Sequence, residues 1–351
     1  MEDEARTSHR VGVLDLAVGQ REERDDLFLT WLRDACAARG LSFEVLHEGV
    51  VEEACGAVDG GDLRIRTLLD LTASWWHEDD PYVRLCYAVK DSGGRVIDDP
   101  DIAMMADHKA VSHHRLRQAG LPVPPTVVLR RWTPDRELTA AERAAVGEPV
   151  VIKPARGWGW KGVVLGARCD REAITRARDF DRGDDFLIQR QVPYAWLLDD
   201  QGVRRPAWWR TYYVFGEIIP CWWSPTDCVY RLASLREVWT HGLLPVARLT
   251  AEIARLTGMD FFSTEICMAE EPAAEGAAYH ANGRPFYVID YVNDQCDVRC
   301  QSQHPAGPPD DVVKHLAERF AEVAWRQRHE LPQGAHRSLW LRRGPEGDPT
   351  V

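Results

Sequence analysis

Short apolar runs alternate with amphipathic segments over the first hundred residues. The runs typical of buried strands are residues 11–17, 41–47, 68–72 and 95–98. The amphipathic segments typical of helices are residues 24–39 and 80–90. Strands that alternate with helices indicate an open α/β sheet, so we expect a first α/β domain over residues 1–100.

The pattern changes to an antiparallel one further along the chain. The helices predicted from residue 101 onward lie at about 101–107, 109–119, 134–146, 171–179, 246–256 and 309–327. The predicted strands are 127–129, 150–153, 163–164, 186–189, 208–215, 217–223, 261–268 and 285–292. The fold class is therefore α/β at the N-terminus and α+β in the C-terminal half.

Composition limits the classes of function. The 351 residues carry a formal net charge of −12, which argues against a general nucleic-acid binder because such a protein needs a basic face. The sequence has no apolar run near the ~18 residues of a membrane span and no signal-peptide pattern. The nine cysteines form no CxxC pair, which argues against a zinc site. We expect a cytoplasmic protein that acts on small substrates, without nucleic acid or membrane as partner.

Two tryptophan pairs fall on the predicted hairpin, Trp208-Trp209 and Trp222-Trp223. Neighbouring residues on a strand face opposite sides of the sheet. One member of each pair would then line a cleft while the other packs in the core.

A lysine at the end of an apolar strand precedes a glycine-rich loop. Lys153 ends the run Val-Val-Ile-Lys, and Gly157, Gly159 and Gly162 follow it before a second apolar run. A lysine fixed beside backbone N–H groups can hold a polyphosphate. A plain hairpin with a glycine turn has the same pattern, so the loop alone leaves both interpretations open.

Oxygen-bearing side chains lie near the ends of two predicted strands. Glu265 belongs to the strand 261–268, and Asp290 and Asn293 end the strand that follows. Two carboxylates and an amide oxygen on neighbouring strands suit Mg²⁺, which prefers oxygen ligands. A solvated strand end is the alternative interpretation of the same residues.

Seven short motifs follow one another between about residues 96 and 325. They are Asp107-His108-Lys109 with Gly120–Thr126, Val151–Pro154, the Gly157–Gly162 loop, Leu187–Val192, Arg210–Gly216, Gly258–Ile266 and Val288–Asn293. In this order they resemble the ATP-grasp superfamily, of the carboxylate–amine ligase type that includes glutathione synthetase, ribosomal-protein glutamate ligase and D-Ala–D-Ala ligase. The resemblance implies a pre-ATP-grasp domain over 1–100, a small subdomain with a phosphate lid over 101–185, a subdomain with a metal site over 186–330, and a tail over 331–351.

The resemblance also implies roles for individual residues. The residues implied in nucleotide binding are Lys109, Lys153, Gly157, Gly159, Gly162, Gln189, Arg190, Gln191 and Val192. The implied Mg²⁺ ligands are Glu265, Asp290 and Asn293. The residues implied to face the substrate or the transferred phosphate are Arg210, Arg231 and Arg299. For each arginine, a surface ion pair stays an alternative.

Three features depart from the pattern of the superfamily. Arg190 replaces the usual hinge glutamate, so the contact to the adenine amino group would pass to Gln189 or to the backbone. The last metal motif reads Asp-x-x-Asn where Glu-x-Asn is usual, and Asp294 or a local bulge would change its register. Trp158 and Trp160 stand in a loop that usually has small residues, and they would seal the closed site against water.

The resemblance leads to a hypothesis about activity. A substrate carboxylate would attack the γ-phosphate of ATP to form an acylphosphate, and an amine would then displace phosphate to give an amide. Positioning and charge neutralisation would do most of this work, with ATP and Mg²⁺ as cofactors. The implied partners are a small carboxylate and an amine of amino-acid or peptide type, and a homodimer is left open. A small-molecule kinase on the same fold and a non-enzymatic nucleotide-binding module are the alternatives.

Overall fold

The computed structural model describes residues 11–21, 26–77, 79–157 and 159–330. The strands are β1 (Gly12–Leu14), β2 (Leu16–Gly19), β3 (Phe43–Leu46), β4 (Leu63–Ile65), β5 (Thr67–Asp70), β6 (Arg95–Ile97), β7 (Thr126–Leu129), β8 (Val150–Pro154), β9 (Val164–Ala167), β10 (Phe186–Arg190), β11 (Trp196–Leu198), β12 (Arg204–Pro206), β13 (Trp208–Val214), β14 (Glu217–Trp223), β15 (Tyr230–Leu232), β16 (Phe261–Met268), β17 (His280–Ala281) and β18 (Arg284–Asn293). The helices are α1 (Leu27–Ala38), α2 (Val51–Asp59), α3 (Pro81–Asp91), α4 (Pro100–Asp107), α5 (Lys109–Gln118), α6 (Ala140–Val146), α7 (Arg171–Arg178), α8 (Leu235–His241), α9 (Leu244–Thr257) and α10 (Asp310–Arg328). Among the helices of these ranges, none has the length and apolarity that crossing a membrane requires.

The described chain forms two compact units that differ from the predicted division. The first unit runs to Met104 and includes the segment from Asp297 onward, whereas the second runs from Met105 to Cys296. Helix α10 therefore belongs to the first unit, whereas the motif order implied that it lies in the 186–330 subdomain. The predicted division at residue 185 stays a prediction.

Helix α10 packs within the first unit through an apolar contact with α1 and polar contacts with Asp15 and Gly40. Phe28 of α1 and Phe320 of α10 meet edge to face, with ring centroids 6.2 Å apart. Arg328, at the end of α10, donates to the Gly40 carbonyl at 2.7 Å and pairs with Asp15 at 3.2 Å. These contacts join residues 288 to 313 positions apart, which local periodicity cannot reveal.

A parallel four-stranded sheet in the order β3-β2-β5-β6 is the centre of the first unit. Strand β2 is completely buried, as the apolar run around residue 16 predicts. The predicted α/β character is confirmed. Helix α2 was not predicted, although Val51, Ala54, Cys55 and Val58 are buried along one face at helical spacing. Its first residue follows Val50, which makes no side-chain cap, so the usual start signal is missing.

The second unit contains two large antiparallel sheets, besides the two-stranded antiparallel pair of β11 and β12. One has the strand order β7-β10-β8-β9, and the other has the order β15-β14-β13-β16-β18-β17. The predicted hairpin of β13 and β14 and the long pair of β16 and β18 are present. Helix α6 is shorter than the predicted 134–146 because Thr139 and Glu142 form a capping box that starts the helix at Ala140.

A buried polar hub joins three elements of the second unit. The hydroxyl of Tyr291 on β18 lies 2.7 Å from Nδ1 of His113 on α5. The same hydroxyl accepts a hydrogen bond from Nε2 of Gln189 on β10 at 2.8 Å. Burial lowers the pKa of His113 to about 4, and the positive charges of Arg117 and Lys153 act in the same direction. The ring is therefore neutral in the folded protein at neutral pH.

The neutral His113 predicts an acid-dependent loss of stability. The folded pKa of about 4 lies below the ordinary value of 6.5, so the unfolded chain binds the proton first as pH falls. The free energy of unfolding should fall by roughly 1–3 kcal/mol between pH 6.5 and pH 4 through this group. The His113→Asn variant has no imidazole to protonate at this position. Its free energy of unfolding, measured by urea denaturation, should therefore fall by less over the same pH range. His304→Asn, at an exposed position, is the control, and an equal pH dependence in all three proteins would contradict the assignment.

Candidate active site

A cavity of about 310 Å³ in the second unit is lined from strands of both sheets. The predicted site residues that line it are Lys109, Lys153, Gly157, Gly159, Gln189, Arg190, Gln191, Val192, Arg210, Glu265, Asp290 and Asn293. Gly162, Arg231 and Arg299 are not among its lining residues. The cavity thus collects lysines, a glycine loop and carboxylates from segments that lie far apart in the sequence.

Two lysines enter the cavity from different elements. Lys153 ends the buried run of β8, and its Nζ donates to the Ile289 carbonyl at 2.9 Å and lies 5.2 Å from the centre of the Tyr291 ring. Burial lowers the pKa of Lys153, while the charge of Asp290 acts against this shift. Lys109 is the first residue of α5, and its Nζ donates to the Gly157 carbonyl at 2.7 Å. Both ammonium groups are placed to attract an anion into the cavity.

A bulge in β18 brings the three predicted metal ligands to one face. Ser263 pairs with Asn293 and Glu265 pairs with Asp290, so two steps along β16 match three steps along β18. On a regular strand, residues three apart point to opposite sides. The extra residue in β18 returns Asn293 to the side of Asp290 and Glu265. The local bulge considered for the Asp-x-x-Asn spacing is therefore present.

The two carboxylates of this cluster differ in their electrostatic surroundings. Burial raises the pKa of Glu265 to about 7, although Arg210 opposes the shift with its Nε 3.8 Å from the carboxylate. Burial also disfavours the charged form of Asp290, but Lys109, Lys153 and Arg210 outweigh it and hold the pKa of Asp290 below its ordinary value. The negative charge of Asp290 is thus balanced by neighbouring positive groups without a ligand, whereas that of Glu265 is not.

The donor set fits a divalent cation with oxygen ligands. Oδ1 of Asp290 is buried and has no hydrogen-bond partner within the described ranges, so it is available to a ligand. No group of three or more His, Cys, Asp or Glu side chains with the arrangement of a metal site occurs among the described residues. The chain therefore offers two carboxylates and the Asn293 amide oxygen, which suits Mg²⁺ that shares its remaining positions with phosphate oxygens and water.

The hinge strand β10 ends at the cavity with its backbone partly unpaired. The N–H of Arg190 donates to the Pro125 carbonyl at 2.9 Å. Within the part of the chain that the structure describes, no group accepts a hydrogen bond from the backbone N–H of Gln191 or Val192. The Gln189 amide, in contrast, donates to Tyr291 in the interior. The backbone is therefore better placed than the Gln189 side chain to meet a nucleotide base.

The charge of Arg190 is balanced by a carboxylate from another segment. Its guanidinium pairs with Glu271, in the loop that follows β16. Glu271 also accepts a hydrogen bond from the Tyr287 hydroxyl at 3.2 Å. The hinge thus has an acidic side chain next to it, although it is not supplied by the hinge strand itself.

The loop between β8 and β9 lies over the cavity. Gly157 has φ of +122°, a conformation open mainly to glycine. A Cβ on Gly162 would come within 2.5 Å of the Phe180 ring, which explains a glycine there without a role in phosphate binding. The indole of Trp160 is nearly parallel to that of Trp223, with ring centroids 6.4 Å apart. Trp158 lies outside the described residues.

The comparison with known proteins adds to this geometry. No protein-family model matches the sequence, and no curated protein matches it. Solved structures do match. A RimK-domain ATP-grasp protein from Sphaerobacter thermophilus aligns with a TM-score of 0.56 and 18% identity over 88% of this chain and 99% of its own. The ATP-grasp ligase PsnB with minimal precursor, Mg and ADP aligns with a TM-score of 0.56 and 14% identity over 89% of this chain and 98% of its own. D-alanine–D-alanine ligase from Bacillus anthracis in complex with ATP aligns with a TM-score of 0.56 and 13% identity over 90% of this chain and 98% of its own.

The chain has the ATP-grasp fold. The suspected resemblance of the motif order is thereby confirmed at the level of the fold. The roles of individual residues in this chain stay predictions that rest on the geometry of the cavity.

Two arginines of the predicted set have other partners. Arg231 on β15 pairs with Glu237 and lies 3.5 Å from Asp199 and 3.3 Å from Asp200. Three carboxylates from two segments surround its guanidinium, which matches the ion pair that the sequence left open as the alternative for this arginine. Arg299 belongs to the first unit, where it pairs with Asp297 at 2.7 Å.

Two aromatic cavity residues, Tyr194 and Trp208, lie outside the seven motifs. Trp160 and Lys161, inside the Gly157–Gly162 motif, line the cavity as well. Trp208 lines the cavity whereas its neighbour Trp209 is completely buried, which confirms the expected division of that pair. The alternation of a strand was a usable signal for Trp208, but nothing in the sequence indicated that Tyr194 lies beside it.

The two carboxylates predict opposite effects on the stability of the ligand-free protein. At pH 8 the ionised Glu265 is unfavourable, because its folded pKa of about 7 exceeds the ordinary 4.5 and stability is lost as pH rises between these values. Glu265→Gln should therefore stabilise the protein by roughly 1–3 kcal/mol, and Asp290→Asn should destabilise it by a similar amount.

Thermal unfolding at pH 8 without nucleotide or metal tests this pair. Tm should rise for Glu265→Gln and fall for Asp290→Asn, while Glu318→Gln on the exposed side of α10 should leave it unchanged. If Tm shifts in the same direction for both cavity variants, the predicted contrast between a stabilising Asp290 charge and a destabilising Glu265 charge is wrong.

Proposed function

We propose that this chain is an ATP-dependent ligase that forms an amide bond between a carboxylate and an amine. In this reaction the carboxylate oxygen attacks the γ-phosphorus, ADP leaves, and an acylphosphate forms. The amine nitrogen then attacks the acyl carbon and phosphate leaves, with loss of one proton from the amine. No protein nucleophile is needed, so the chain's task is to position reactants and balance charge.

The observation that carries this proposal is the convergence of charges in one cavity. Lys109 and Lys153 supply positive charge beside the glycine loop, and Glu265, Asp290 and Asn293 supply oxygen ligands on the adjoining sheet. Such an arrangement suits a polyphosphate with its divalent cation, since the ammonium groups compensate the phosphate charge and the carboxylates hold the metal. When bound, Mg²⁺ would neutralise charge on the phosphate oxygens.

Arg210 has the surroundings of an anion-binding residue. Its guanidinium is held from one side by the Tyr230 hydroxyl at 3.1 Å and lies 5.6 Å from the centre of the Trp223 ring. Its Nε is buried and has no hydrogen-bond partner within the described ranges. An arginine fixed in this way can bind the substrate carboxylate or the phosphate that is transferred.

The hinge would hold the base of the nucleotide. The unpaired backbone N–H groups of Gln191 and Val192 offer hydrogen bonds to the edge of adenine, and Val151 and Leu165 provide apolar surface for its faces. Solved structures of two proteins with this fold contain ATP in one case and Mg with ADP in the other. Those ligands support the proposal of ATP and Mg²⁺ as cofactors of this chain.

Substitution of Lys153 tests the location of the phosphates. Lys153→Ala should weaken binding of MgADP by at least about tenfold, because a buried charge next to the phosphates is lost. Isothermal titration calorimetry measures the affinity. Lys314→Ala, at an exposed position of α10, is the matched control and should bind as the unaltered protein does. An unchanged affinity of Lys153→Ala would mean that the phosphates bind elsewhere.

A product assay tests the type of reaction. The protein is incubated with MgATP and a panel of carboxylates and amines, including amino acids and short peptides, and phosphate release is measured. We expect ADP and free phosphate to appear only when both a carboxylate and an amine are present. A stable phosphorylated product without an amine would instead indicate a kinase, and a failure to bind MgATP would exclude both enzymes.

A further inference from the structure

A chain of aromatic and charged contacts connects the loop over the cavity with its deepest charged residues. Trp160, in the loop, stacks on Trp223 at the end of β14. The Arg210 guanidinium lies 5.6 Å from the centre of the same Trp223 ring, and its Nε lies 3.8 Å from Glu265. Trp223 is therefore the contact that the loop and the anion-binding arginine share.

Trp160 has a backbone conformation that tryptophan rarely adopts. Its φ is +65°, in the left-handed region where a side chain is disfavoured. Its side chain is 43% exposed, so burial alone does not explain this conformation. Strained residues persist where surrounding contacts hold them, and the ring of Trp223 is such a contact.

Trp223 is fixed from several sides. Its side chain is buried, and the ring of Trp208 lies 6.2 Å from it, centroid to centroid. Trp208 is in turn in edge-to-face contact with Tyr194 at 5.6 Å. Because the Trp223 ring is fixed, Trp160 can stack on it in one defined position. The same ring contacts the guanidinium of Arg210.

We propose that Trp160 is a positioning residue that couples the segment 159–162 to the orientation of Arg210 through the ring of Trp223. This proposal rests on the proposed function, since it concerns the same cavity. The ring of Trp160 packs on Trp223, and the packed Trp223 ring keeps the guanidinium of Arg210 directed into the cavity. Conversely, a displaced guanidinium weakens the contact of Trp160 with Trp223.

A double-mutant cycle tests the coupling. Affinity for a non-hydrolysable ATP analogue with Mg²⁺ is measured by calorimetry for the unaltered protein, Trp160→Ala, Arg210→Lys and the double variant. Trp160→Ala should weaken binding by roughly two- to tenfold, the range expected for one aromatic contact. Because both residues act through Trp223, the fold-loss of affinity in the double variant should be smaller than the product of the two single fold-losses.

Two further variants separate positioning from a general loss of structure. Trp160→Phe keeps a ring and should restore most of the affinity. Trp239→Ala removes an indole that is 73% exposed on α8 and should bind as the unaltered protein does. Hydrogen exchange of the amides in 159–163 with the analogue bound should be faster in Trp160→Ala than in Trp160→Phe.

The possible outcomes distinguish the two proposals. If the unaltered protein does not bind the analogue, the proposed function fails and the coupling fails with it. If the unaltered protein binds the analogue but Trp160→Ala binds it equally well, only the coupling is overturned. The same holds if the fold-loss of affinity in the double variant equals the product of the two single fold-losses. The coupling is supported if Trp160→Ala binds more weakly, the double variant loses less than that product, and Trp160→Phe restores the affinity.

Discussion

Glu265, Asp290 and Asn293 meet in one cavity because β16 and β18 pair with an extra residue in β18. A regular ladder would direct one of the two β18 side chains to the opposite side of the sheet. The same strand carries Ile289, whose carbonyl accepts the Lys153 ammonium. The distortion of a single strand thus determines where the predicted oxygen ligands lie and how the buried lysine is held.

Charge balance follows from this arrangement. Asp290 is surrounded by positive groups and keeps its charge when buried, whereas Glu265 is held near neutrality by burial and by the neighbouring carboxylate. A divalent cation would relieve the repulsion between them and favour the ionised form of both. The ligand-free cavity therefore contains a carboxylate that lowers stability, as is common at functional sites.

Much of the cavity was predictable because its residues belong to short motifs in a fixed order. Lys153, Glu265 and Asp290 are each a charged residue within a largely apolar strand, and such an interruption is recognisable from local pattern. The environment of Arg231 was not predictable, since Asp199 and Glu237 reach it from separate segments. The same limit applies to Trp223, whose role depends on a loop residue more than sixty positions earlier in the chain. The local sequence pattern identifies strands and helices. Contacts between distant segments decide which charged side chains already have an oppositely charged partner.

The grouping of residues 297–330 with the N-terminal unit has a consequence for synthesis of the chain. The described part of the second unit runs continuously from Met105 to Cys296, so its residues leave the ribosome before α10 is made. The first unit begins earlier but lacks Phe320, which packs against Phe28, until α10 is made. The part of the molecule that contains the cavity can therefore complete its fold before the first unit does, and the first unit keeps apolar surface exposed until α10 has been synthesised.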